Sequence, residues 1–93
     1  MDGIRYTPLG YQQITDLSVA TKLTVPAGAT VALIEAEAED VRYRDDGTDP
    51  TSSVGMPVAK GTTFWYAGTL SAISFIEQTS GGILNISYYR IAG

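Results

Sequence analysis

The chain has 93 residues, 17% of them charged, a formal net charge of −4, and neither histidine nor cysteine. A chain this short builds one modest core, without disulfide or thiolate-metal support and without the usual general base or thiol nucleophile of enzymes. Its cations, Arg5, Lys22, Arg42, Arg44, Lys60 and Arg90, are scattered apart from one close pair, which argues against binding nucleic acid by phosphate neutralisation.

The N-terminus, Met1-Asp2-Gly3-Ile4-Arg5, lacks the basic start and apolar run of a signal peptide. No apolar stretch approaches the roughly 20 residues that span a bilayer. The expectation is a complete, soluble protein made in the cytoplasm, with no membrane partner and no cofactor. Residues 1–9 read as an N-terminal arm on a single β domain covering 1–93.

Along the chain, Val, Ile, Thr, Tyr and Phe recur in short runs separated by Gly, Pro, Asp and Ser, the pattern of an all-β protein. Strands are predicted at Tyr11–Asp16, Lys22–Val25, Thr30–Ala38, Val41–Arg44, Thr62–Ala67, Ala72–Gln78 and Ile83–Arg90. Pro26-Ala27-Gly28 presets a turn, with φ fixed at Pro26 and free to be positive at Gly28. Ser80-Gly81-Gly82 reads as a hairpin loop.

The run Glu35-Ala36-Glu37-Ala38-Glu39 contains strong helix formers. In a helix, however, Glu35 and Glu39 would stack and repel. In a strand, Ile34, Ala36 and Ala38 face inward while the three glutamates face water. Because Val41 and Tyr43 continue with the opposite parity, one long strand bent by a bulge near Asp40 is predicted. The acidic row would also discourage edge-to-edge aggregation.

The expected core is Ile14, Leu23, Val25, Val31, Leu33, Ile34, Val41, Tyr43, Phe64, Ile73, Phe75, Leu84 and Ile86. A small β-sandwich or a jelly-roll-like barrel of about seven strands would bury this set. Residues 45–61 read as one long exposed loop, a length at which loops are usually functional or mobile.

Glu35, Glu37, Glu39, Asp40, Asp45, Asp46 and Asp49 crowd one short span. A divalent-cation loop would need several of these oxygens gathered together, but Asp45-Asp46-Gly47-Thr48-Asp49 lacks EF-hand spacing and has Arg42 and Arg44 beside it. A solvated strand face and turn is the simpler reading, and no metal site is expected. A glycosidase pair is weaker still, since exposed carboxylates on one strand face keep ordinary acidity. The serines show no base-plus-orienter arrangement, and no phosphate-binding glycine loop is present. No catalytic residue is assigned.

Six Tyr and one Trp are many for so small a chain. Phe64-Trp65-Tyr66 and Tyr88-Tyr89 each place at least one ring off the core, by strand alternation. Such rings suit protein interfaces, because their bodies bury well while their polar tips tolerate water. Cross-strand pairing within the sheet and sugar stacking are the alternatives. Pro50 and Pro57 stiffen the 45–57 loop, so it would bind without a large ordering cost. The candidate interface is therefore Arg42, Arg44, Asp45, Asp46, Thr48, Pro50, Met56, Trp65, Tyr66 and Tyr89.

The order of these segments carries a resemblance. Val41-Arg42-Tyr43-Arg44-Asp45-Asp46-Gly47-Thr48-Asp49-Pro50-Thr51 is followed by Val54-Gly55-Met56-Pro57, an aromatic strand, Ala72–Glu77 and a closing Leu84–Tyr89. From about Tyr11 to Tyr89 this resembles short, Cys-free structural proteins of tailed bacteriophages and prophages. The resemblance implies a virion component, a decoration or cement protein on the capsid surface, made in the host bacterial cytoplasm. Its partners would be the major capsid protein and copies of itself as a homo-oligomer. Arg42 and Arg44 would pair with carboxylates across that interface, giving register more than affinity. The alternative is a tail-tip or fibre module binding a host glycan or protein through Trp65, Tyr66 and the same loop.

Overall fold

A computed structural model describes residues 5–92. Eight strands appear: β1 (Arg5–Ile14), β2 (Thr21–Lys22), β3 (Val31–Glu37), β4 (Val41–Arg44), β5 (Met56–Val58), β6 (Thr63–Tyr66), β7 (Ser74–Glu77) and β8 (Ile83–Ala92). No helix occurs among the described residues. Two four-stranded antiparallel sheets form, in the orders β1-β8-β3-β6 and β2-β7-β4-β5. The first half of the chain thus pairs with the second in reverse, β1 with β8, β2 with β7, β3 with β6 and β4 with β5. That is a single antiparallel ribbon rolled into a sandwich, the jelly-roll arrangement.

The core lies between the sheets. Alternate residues of β8 (Leu84, Ile86, Tyr88) meet Ala32, Ile34 and Ala36 of β3 and, from the opposing sheet, Val41 and Phe75. Each large apolar side chain fully buried here contributes about 1.5–3 kcal/mol. Nine of the expected core residues are buried, and Val25, Tyr43 and Phe64 pack against the cluster from its margin. Leu33 is the exception, since its odd position in β3 puts it on the outer face. Leu17, Val58 and Leu70 join the core from segments read as turns or loop.

Four expectations change. Ser80-Gly81-Gly82 joins β7 to β8 in the other sheet, so it is a crossing turn and not a hairpin loop. Residues 5–9 are not an arm but the first half of β1, paired with β8 as far as Arg5↔Ala92; residues 1–4 lie outside the described residues. The 45–61 loop is interrupted by β5, which pairs with β4. The long bulged strand over 30–44 is instead two strands in different sheets. The parity change near Asp40 is real, but its cause is a crossing between sheets: Ala38 takes φ +77 and is exposed rather than inward. Asp40 then fastens this corner, its carboxylate accepting the Lys60 N–H at 2.8 Å and its carbonyl the Gln78 N–H at 2.9 Å.

Two predictions follow from this packing. Ala38 is the one non-glycine residue with positive φ among the described residues, so Ala38→Gly should raise stability by about 0.5–1 kcal/mol, read from denaturant midpoints. The second concerns the Tyr88 hydroxyl, buried and donating to Gln12 Oε1 at 2.6 Å, whose pKa burial pushes up to about 12. Tyr66 is likewise raised to about 12, by burial first and then by the Asp45 carboxylate that accepts from it. Both lie above the ordinary tyrosine value of about 10, so their stabilising contribution is full below about pH 10 and lost as pH rises through about 12. Circular dichroism and phenolate absorbance should therefore change together in that window, and Tyr88→Phe should make the alkaline loss shallower.

Candidate functional site

Strand alternation sends the odd-numbered residues of β3 and β8 to the outer face of the first sheet. There Val31 lies opposite Tyr89, Leu33 opposite Trp65, and Tyr6 of β1 opposite Ile91. Three rings converge over the middle strands. Tyr6 stacks on Trp65 with centroids 5.2 Å apart, Trp65 meets Tyr89 at 5.5 Å, and Tyr6 meets Tyr89 edge-on at 6.2 Å. The cluster faces water, with Trp65 51% and Tyr6 48% exposed.

Further along the same face the surface turns polar. Asn85 accepts from Tyr11 Oη at 2.5 Å and from Gln13 Nε2 at 3.0 Å, and donates to Glu35 at 3.3 Å and Glu37 at 2.7 Å. All four hydrogen-bonding positions of its amide are used. A shallow groove of about 290 Å³ runs between the two halves, bounded by Tyr11, Leu33, Glu35, Thr63 and Ser87.

The 45–55 loop at the end of the sandwich is folded against itself. Arg42 Nη1 donates to the Gly55 carbonyl at 2.8 Å, and its Nε and Nη2 reach the Gln78 amide oxygen at 3.2 Å when that amide is oriented to accept. Arg44 forks onto both oxygens of Asp46, which raises the guanidinium pKa and lowers that of the carboxyl, through the hydrogen bonds first. An exposed pair of this kind adds little stability. The Thr48 N–H donates to the same Asp46 carboxylate. Asp45 accepts from Tyr66 Oη at 2.8 Å, and Pro50 is buried near Gly55. Thr51 and Val54 exchange backbone bonds.

The ten sequence-derived interface residues therefore do not form one surface. Trp65 and Tyr89 share the outer aromatic face. Tyr66, next in sequence to Trp65, points to the opposite side of the sheet and packs against the core while holding Asp45. Arg42 is committed inside the protein rather than offered to a partner. Arg44, Asp45, Asp46, Thr48 and Pro50 belong to the folded loop, and Met56 stands 59% exposed on β5. The acidic span is dispersed: Glu35 and Glu37 bind Asn85, Asp40 fastens the corner, and among the described residues no three Asp or Glu come together as a metal site would require. Tyr6, Leu33 and Ile91 are the face residues that sequence reasoning missed. The alternation of Tyr6 with Pro8, continued across the bulge to Tyr11, was the available signal.

Comparison with protein-family models, with curated proteins and with solved structures finds no match to this chain.

The loop's tight fold makes a contrast between two glycines. Gly55 has φ +144, and a Cβ there would sit 3.0 Å from the Tyr43 carbonyl and 3.2 Å from both Arg42 and Pro50. Gly47 has φ +89 with nothing within 4 Å. Gly55→Ala should cost about 2–4 kcal/mol, from strain plus crowding, against about 1 kcal/mol for Gly47→Ala. Equal melting temperatures for the two variants would contradict this account of the loop.

Proposed function

We propose that this protein is a structural component of a tailed-bacteriophage virion, a decoration protein that sits on the capsid exterior and stabilises contacts between capsid subunits. The observation that carries the reading is the ring cluster of exposed Tyr6 and Trp65 with half-buried Tyr89, continued by Leu33 and Ile91, on one end of the outer sheet face. Large contiguous apolar surface on a small protein marks a place where something docks, and aromatic anchors are the residues that dominate such contacts. The rolled ribbon is an architecture that viral capsid domains often use, which supports the reading by analogy of fold alone.

The protein acts by binding rather than by catalysis. A chain without His or Cys, whose Glu37, Asp40 and Asp45 carboxylates are engaged in structural hydrogen bonds, is suited to holding a surface. Binding only the assembled shell stabilises that shell by mass action.

Mass spectrometry on parent virions separated into heads and tails tests the assignment. Enrichment in heads, at a copy number comparable to the major capsid protein, is expected. Enrichment in tails at low copy number would transfer the aromatic face to a host-binding role, and absence from both would overturn the virion reading. On heads stripped of the protein, re-addition should raise heat resistance, and a Trp65→Ser, Tyr89→Ser double variant should fail to do so.

A further inference from the structure

A rolled sandwich has four free strand edges, and each is a template for pairing unless it is blunted. Here β1 carries Pro8 and a register break between Pro8 and Gly10. The β2 strand is two residues long and bears Lys22, and β5 carries Pro57 in its centre. The β6 edge, Thr63-Phe64-Trp65-Tyr66, has no proline, no bulge and no charge. Its pairing with β3 is in register from Glu35↔Thr63 to Ala32↔Tyr66, and the Ala36 N–H donates to the Thr62 carbonyl at 3.1 Å. By antiparallel alternation, Phe64 and Tyr66 then bond β3, while the N–H and C=O groups of Thr63 and Trp65 face outward. No turn or loop hydrogen bond among the described residues uses them.

Beside this edge the two sheets gape. A cleft of about 330 Å³ opens between β5 and β6, lined by Tyr43, Met56, Val58, Ala59, Thr62 and Phe64. It is floored by the stacked Tyr43 and Phe64 rings, 5.8 Å apart. An edge strand with an apolar cleft next to it has both requirements of strand addition: main-chain bonds for affinity and a pocket for side chains.

We infer that the occupant is a second copy of this chain, joined through antiparallel β6–β6 pairing about a two-fold axis so that each copy's exposed Met56 closes the cleft of the other. A two-fold interface sets residues near its axis against their own twins, so a charged patch would meet like charge. The β5 and β6 strands together contain no charged residue, in a chain of net charge −4. Charge flanks the patch at both ends, Lys60 together with the Asp40 and Glu35 carboxylates at one and Asp45 at the other. Lys60 lies just before Thr63, and Asp45 accepts from Tyr66 at the far end of β6. Antiparallel pairing brings the Lys60 end of one copy alongside the Asp45 end of the other. The inference deepens the self-association part of the proposed function and rests on that part alone, not on a place in the virion.

A four-residue edge and one cleft make a small interface, below the roughly 800 Å² per partner of stable complexes, so a weak, concentration-dependent dimer is expected. Sedimentation velocity on the full chain from about 10 μM to about 1 mM should show reversible dimers. Hydrogen exchange at the Thr63 and Trp65 amides should slow as concentration rises. Thr63→Lys, on the exposed side of β6, should weaken dimerisation by about tenfold or more, with the monomer's near-ultraviolet circular dichroism unchanged. Lys60→Glu, which leaves the strand intact, should weaken it as well. A monomer throughout the range would overturn the inference, as would a dimer abolished by Tyr6→Ser yet indifferent to Thr63→Lys. Virion fractionation is a separate measurement, so failure of either idea is visible without the other.

Discussion

The constraint on which the rest depends is the position of β8 between β1 and β3. It is one of the two longest strands and pairs on both sides, with β1 from Ile14↔Leu84 to Arg5↔Ala92 and with β3 from Glu37↔Ile83 to Val31↔Tyr89. Its strict alternation divides the molecule. Leu84, Ile86 and Tyr88 build the core, while Asn85, Ser87 and Tyr89 build the outer face. A one-residue slip would exchange the two sets, placing Asn85 inside without partners and Tyr88 in water. The Tyr88–Gln12 hydrogen bond within the roll and the fully bonded Asn85 outside it oppose that slip from opposite faces. The same register that secures the core therefore composes the candidate docking surface.

The loop that looks most distinctive in sequence is folded largely onto itself. The segment after Val41 concentrates charge, proline and glycine, features that suggest recognition when read alone. In the fold those groups satisfy one another. Arg42 holds Gly55, Asp46 holds Arg44, Asp45 holds Tyr66, and Thr51 holds Val54. A loop whose polar groups are already paired keeps its shape but offers few free donors or acceptors. The outer face is the reverse case, with the Tyr6 and Trp65 rings about half exposed and stacked on one another.

How much was legible follows from which signals are local. Seven of the eight strands overlap an expected one, with Val41–Arg44 matching to the residue and β2 overlapping only at Lys22. The missing β5 is three residues long with a proline in the middle, too short for any period and punctuated like a turn. The first half of β1, Arg5–Leu9, contains Pro8 and carries no clean local strand signal; only long-range pairing with β8 makes it a strand. Near Asp40 the parity shift was visible, but sheet membership is not a local property, so a crossing between sheets passed for a bulge. The site followed the same rule. Trp65 and Tyr89 were found by alternation, whereas Tyr66 was grouped with Trp65 although adjacent strand residues face opposite ways, and Tyr6 was lost with the arm.

The aromatic face and the β6 edge reinforce one another geometrically. Antiparallel pairing at β6 about an axis perpendicular to the sheet extends that sheet from four strands to eight and keeps both outer faces on the same side. Trp65 lies on β6 itself, so the two aromatic clusters would meet near the axis and form one continuous platform. Each cluster alone is a modest contact. Joined as proposed, they would engage a repetitive surface twice, and the second engagement would be intramolecular, raising overall avidity by roughly 10²–10⁴ when the spacing matches. A weak dimer in solution is then no obstacle to tight attachment on an ordered array. On such an array the proposed pair would be held together by the surface it binds, and the array's repeat would select the pair over the single copy.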